Sequence, residues 1–222
     1  VYGGGKGKED DVTAGIVKGS TTVSISGSPA ILHNVYGGGA YGSVGTFSYD
    51  ATGFPTGWTT TENKGKCTVS ITGGTIGTTG DNNGMVFGSS RGLEGNPETN
   101  TNVDKMAWVY DTDVTIGTQS SETGPSVKGS VYGGGENGHN FHDAMVTVHS
   151  GTIGITEGSE IVNDGGTPDD TSDDISYSGA RFPNRGNVYG SGCGTDTYTG
   201  TDSKTYFDFN AGIVRGNTTV LI

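Results

Sequence analysis

Two short strings alternate along this sequence, five times each, and they limit its fold more than any other feature. The first is Val-Tyr-Gly-Gly-Gly, intact at Val1, Val35 and Val131 and degenerate as VFGSS at Val86 and VYGSG at Val188. The second is Thr-Val-x-Ile or a close variant, centred on Val23, Val69, Val114, Val146 and Val220. Residues 14–23 (AGIVKGSTTV) and 211–220 (AGIVRGNTTV) agree at eight of ten positions across almost the whole chain. Self-similarity of this kind marks an architecture of stacked units, each too thin to bury its apolar face alone.

Spacing shows which parts of the unit are constant. The two shortest legs between markers, Val23 to Val35 and Val131 to Val146, together make 27 residues. That length suits one turn of backbone with three short strands and three corners. Longer legs then become loops inserted into a constant unit, near 40–62, 91–105, 155–186 and 194–210. Around Val23 the residues alternate polar and β-branched apolar, so Val23 and Ile25 point inward while Thr22, Ser24 and Ser26 face water. A second strand is expected at Ile31, Ile76 and Ile153, five or six residues further on. The Val-Tyr pair makes a third, its glycines allowing either positive φ or close backbone approach. Parallel stacking would place Val23, Val69, Val114, Val146 and Val220 in one inward ladder. The expected fold is all-β: a single-stranded parallel β-helix, or β-solenoid, of about five coils, continuous over 1–222.

Composition agrees with a thin core. Gly supplies 43 of 222 residues, and the hydrophobic set only 30%. The formal net charge of -12 opposes a nucleic-acid partner, which requires a basic face. No apolar run reaches the roughly 18 residues of a membrane span. Cys67 and Cys193 fall at non-equivalent places in distant repeats, so two free thiols are expected. The chain starts inside a repeat marker, and neither end carries a polar cap. It is expected to be part of something longer, with further coils or copies of itself meeting it end to end.

Taken together, Thr-Val-x-Ile, Gly-Gly-Thr-Ile-Gly (73–77) and Asn-Val-Tyr-Gly-Gly-Gly (34–39) resemble the Gly-rich β-helix repeats of large secreted bacterial surface proteins and adhesins. The resemblance implies a right-handed helix, an extracellular or cell-surface location, and a structural, non-enzymatic role in a fibre or adhesin whose loops touch glycans or a host surface. The alternative is a carbohydrate-active β-helix enzyme, a polysaccharide lyase or hydrolase, with a loop-borne site in 40–62 or 155–186.

Candidate chemistry is sparse. Tyr2, Tyr36, Phe87, Tyr132 and Tyr189 follow the marker valines and would stack as an aromatic ladder. Exposed, it could bind sugar rings; covered, it would shield the glycines beside it. His139, His142 and Asp143, with His149 nearby, sit in a short loop without a clear further ligand or the ordered spacing of a zinc site, and read as a polar surface loop. Calcium is conceivable at Asp164, Asp169, Asp170, Asp173 and Asp174, or at Glu9-Asp10-Asp11, although neither the EF-hand nor the nonapeptide pattern is present. Otherwise no cofactor is expected. Arg215 aligns with Lys18 as a recurring surface position, and the strings that mark polygalacturonase-type hydrolases are missing. The outward ladder, Thr22/Ser24 through Thr219/Leu221, is too irregular for an ice-binding face.

Overall fold

A computed structural model describes residues 1–58, 65–78, 83–155, 160–163, 172, 175–178, 185–194 and 197–222. Among them there is no helix, and parallel strands dominate. The first sheet joins Thr21–Ile25, Lys66–Ile71, Asp111–Ile116, Ala144–Val148 and Thr218–Leu221, in that spatial order. Its register never slips: Val23 pairs with Val69, Val69 with Val114, Val114 with Val146 and Val146 with Val220. The second sheet stacks Ala30–Ile31, Thr75–Ile76, Ser126–Val127 and Thr152–Ile153. The third stacks Val35–Tyr36, Val86–Phe87, Val131–Tyr132 and Val188–Tyr189, with Tyr2 bridged to Tyr36.

Sequence reasoning expected three strands per repeat, and the structure adds a fourth. Trp108–Val109 pairs with His139–Asn140. Isolated bridges extend the column from Val17 through Val44 to Val109, and from Asn140 to Val214. Residues 40–62 are therefore not all insertion: Val44 is fully buried within this stack. Along the chain, the described segments visit the first, second, third and fourth stacks in turn, then begin again at the first.

One apolar cluster links three sheets. Val23, Ile25, Val69, Ile71, Val114, Ile116 and Val146 come from the first, Ile76 and Val127 from the second, and Val35, Val86 and Val131 from the third. The alternation read from sequence is present: Thr22 and Ser24 are exposed and alternate with buried Val23 and Ile25. Thr21 is also buried, and its hydroxyl donates to Gly37 O at 2.7 Å; Thr112 repeats this contact to Gly133 O at 2.6 Å. Cys67 lies between them in register and is fully buried. Burial pushes its thiol up to about 12, which makes it inert as a nucleophile. Neither cysteine forms a disulfide.

The glycine after each marker aromatic has a packing reason. A Cβ on Gly37 would sit 2.2 Å from Gly88 O and 2.9 Å from Val69 Cγ2. On Gly88 it would sit 2.2 Å from Gly133 O, and on Gly133, 2.3 Å from Gly190 O. None of these three has positive φ. Close approach between layers, rather than a left-handed turn, excludes a side chain here.

The other proposed insertions have structure of their own. Antiparallel pairs form from Phe47–Tyr49 with Pro55–Trp58, Glu160–Asn163 with Ile175–Ser178, and Thr197–Thr199 with Thr205–Phe207. Within 91–105, Leu93 and Val103 pack with Met106 in a small separate cluster. Asn96 Nδ2 donates to Thr199 O at 2.9 Å, which joins this segment to the 197–207 pair.

Ile71 is fully buried in the central cluster, whereas Leu32 is 70% exposed. Ile71→Ala is expected to cost about 2–5 kcal/mol. Leu32→Ala should stay within about 0.5 kcal/mol of the parent. Chemical denaturation of the two variants checks the difference.

Candidate functional site

The five marker aromatics form one stack. Ring centroids are separated by 4.7 Å (Tyr2–Tyr36), 5.0 Å (Tyr36–Phe87), 4.9 Å (Phe87–Tyr132) and 4.9 Å (Tyr132–Tyr189), with interplanar angles of 5–18°. In-register strands produce this geometry directly, since equivalent side chains repeat at the strand spacing of roughly 4.8 Å. The three inner rings are 1–5% exposed, while Tyr2 and Tyr189 are 42% and 41% exposed. Each inner ring has both faces covered by its neighbours. A sugar ring could therefore meet only the outer two, and the column otherwise covers the glycine corner.

Beside this column lies a recess of about 270 Å³ that includes Tyr2, His33, Arg91, Glu94 and Glu136 in its lining. A neighbouring recess of about 440 Å³ shares Tyr2 and Arg91 and adds Lys6 and Tyr41. The Tyr36 hydroxyl donates to Glu136 Oε2 at 2.6 Å and accepts from Asn34 Nδ2 at 3.2 Å. Burial, more than the nearby Glu94 carboxylate, holds the Glu136 carboxyl above its ordinary value. The Arg91 guanidinium lies over the Tyr41 ring, 4.8 Å from its centroid, and hydrogen-bonds its hydroxyl. Tyr41 in turn donates to Glu9 Oε1 at 2.9 Å. The recess thus brings together aromatic faces, an arginine and two carboxylates from several repeats. It suits a hydroxyl-rich ligand, and burial raises the proton affinity of Glu136.

Sequence reasoning missed Arg91, Glu94, Glu136 and Tyr41, although a signal existed. Five residues after each marker valine stand Lys6, Ala40, Arg91, Glu136 and Cys193. Backbone bonds stack this position: Ala40 N donates to Gly5 O, Arg91 N to Gly39 O and Cys193 N to Gly135 O. A variable position on a constant frame is where recognition residues can differ without disturbing the core.

The histidine segment requires correction. His139 and Asn140 do not form a polar surface loop; they are 1% and 0% exposed and lie in the fourth stack. His139 turns its ring nitrogens to Asn210 O (2.8 Å) and Val103 O (3.2 Å), and burial lowers its pKa. His142 instead pairs with Asp111 at 2.8 Å and stacks on Tyr110. Among the described residues no group of three or more His, Cys, Asp or Glu could hold a metal ion. Asp10 pairs with Lys8 and Asp11 caps Thr13, while Asp164, Asp169, Asp170, Asp173 and Asp174 lie outside the described residues. Arg215 covers aromatic rings, 4.5 Å from the Trp108 centroid and 5.3 Å from that of Phe141.

Compared with known proteins, the chain matches no family model, no curated protein and no solved structure. No described helix is long and apolar enough to cross a membrane. Function therefore has to be argued from the stacks and the recess.

Glu136 supplies a test of the recess. Its raised folded pKa favours the protonated acid, so its contribution to stability is complete below about 4.5 and is lost as pH rises through the folded value. Glu136→Gln removes that loss. Urea midpoints from about pH 4 to 8 should fall less steeply in the variant, which becomes the more stable protein at the upper end.

Proposed function

We propose that this chain is a segment of a right-handed parallel β-solenoid of about five coils and serves as a structural, non-enzymatic scaffold. The observation that carries the reading is the unslipped register of the first sheet through five strands, with the stacks revisited in constant order. A structure of that kind gains stability layer by layer and extends along one axis, as a stalk or fibre requires. Among the described residues, the edge strands Thr21–Ile25 and Thr218–Leu221 have a strand neighbour on one side only. Val220 and Leu221 are 39% and 49% exposed. The partners that fit are more coils of the same kind, or further copies of the chain meeting end to end. The similarity to bacterial surface repeats supports an extracellular or cell-surface setting, with glycans or host surfaces met at the insertions and the recess. The acidic balance opposes nucleic acid.

One observation favours the alternative, a carbohydrate-active β-helix enzyme: Arg91 and Glu94 from one repeat and Glu136 from the next meet in one recess. A glycosidase needs two such carboxylates with different proton affinities.

Electron microscopy and fibre diffraction of the purified protein, run beside an assay for polysaccharide cleavage, separate the readings. The scaffold predicts rods or filaments with an axial reflection near 4.8 Å and no released sugar. Discrete monomers whose glycan cleavage disappears in Glu136→Gln would overturn it.

A further inference from the structure

We propose that Asp104 and Asp208 form a site for a hard divalent cation, calcium, that ties the 91–105 segment to the 194–210 segment. Asp208 is 5% exposed. Its Oδ1 accepts from Asn210 N at 2.9 Å, while Oδ2 is buried with no hydrogen-bond partner. Asp104 Oδ1 is likewise buried and without a partner. The Asp208 carboxylate is close enough to oppose ionisation of Asp104, adding to the larger effect of burial. A buried carboxylate oxygen with no donor is expensive, and a second carboxylate near enough to repel it adds to the cost.

The Lys105 ammonium acts on Asp104 through space, but it donates to Thr101 Oγ1 at 3.1 Å and leaves both orphaned oxygens without a partner. His139 points its ring nitrogens at Asn210 O and Val103 O, and burial favours its neutral form. The Asn210 side chain hydrogen-bonds Asp104, yet the two orphaned oxygens remain. A cation between them would neutralise both. The local donors are carboxylate and amide or carbonyl oxygens, without thiolate or a free imidazole nitrogen, which is calcium rather than zinc chemistry. The location also has a purpose. Asp104 belongs to one segment and Asp208 to another about a hundred residues away, and Asn96 already reaches across to Thr199 O.

Terbium is a suitable probe, because the Trp108 indole donates to Asp104 O at 2.9 Å and so lies within range to sensitise a lanthanide held there. After chelator treatment, terbium should give tryptophan-sensitised emission that calcium displaces. Calcium at a hundredfold excess over its Kd should raise Tm by roughly 5–10 °C. Asp208→Asn keeps the Oδ1 acceptor for Asn210 N, so the turn holds. That variant should lose both responses and, in chelator, unfold at the same temperature as the parent or higher. A parent protein with neither response would overturn the proposal and leave the pair with a shared proton or water. A response retained in Asp208→Asn would equally overturn it, placing the cation elsewhere.

Discussion

Everything in this molecule depends on how closely one layer of backbone lies on the next. At Gly37, Gly88 and Gly133 there is no room for a β-carbon, because the carbonyl oxygen of the following layer's glycine occupies its place. Behind these glycines stand the γ-methyls of Val69, Val114 and Val146. The contact therefore does two things at once. It lets the third sheet turn against the inner valine ladder, and it holds every layer at the same height, so valine lies over valine and ring over ring. Slip by one residue would put side chains on the wrong face of every strand.

Polar groups inside this stack are accommodated by the same contact. The hydroxyls of Thr21 and Thr112 donate to the carbonyls of Gly37 and Gly133, so a buried threonine fills space and satisfies an acceptor together. Cys67 and Ala144 occupy the same column, which shows that small residues of different chemistry fit there. Side-chain variety is greater where the frame meets solvent. Lys6, Ala40, Arg91, Glu136 and Cys193 share one backbone position and give each layer a different side chain there. A repetitive core and a varied rim are what a scaffold with local recognition requires, and the acidic pair at Asp104 and Asp208 would fasten that rim.

The inner ladder was legible because Val23, Val69 and Val114 sit in runs of clean alternation, which carry the pattern past Met145 and Leu221. The second strand was legible at Ile31, Ile76 and Ile153, but Val127 was passed over because the surrounding Pro-Ser-Val-Lys lacks the marker. The fourth stack was missed for a similar reason. Val44 stands alone between serine and glycine, and a single buried residue has no period to detect. The matching AGIV strings held the clue, since Val17 and Val214 occupy this stack. His139 and Asn140 misled because polarity suggested water. Part of their hydrogen bonding comes from Val103, Asn210 and Thr112, distant in sequence and invisible to local pattern. The aromatic stacking followed from the repeat; the burial of its middle did not, nor did the recess, whose charged residues lie outside both markers.

The most direct measurement compares two alanine substitutions at glycine. In Gly88→Ala the new methyl would sit 2.2 Å from Gly133 O; in Gly19→Ala it meets nothing within 4 Å, and φ there is not positive. If interlayer contact governs the fold, Gly88→Ala loses about 3 kcal/mol or more, while Gly19→Ala is neutral or gains about 0.4–1 kcal/mol. Equal effects of the two on the denaturation midpoint would contradict the account.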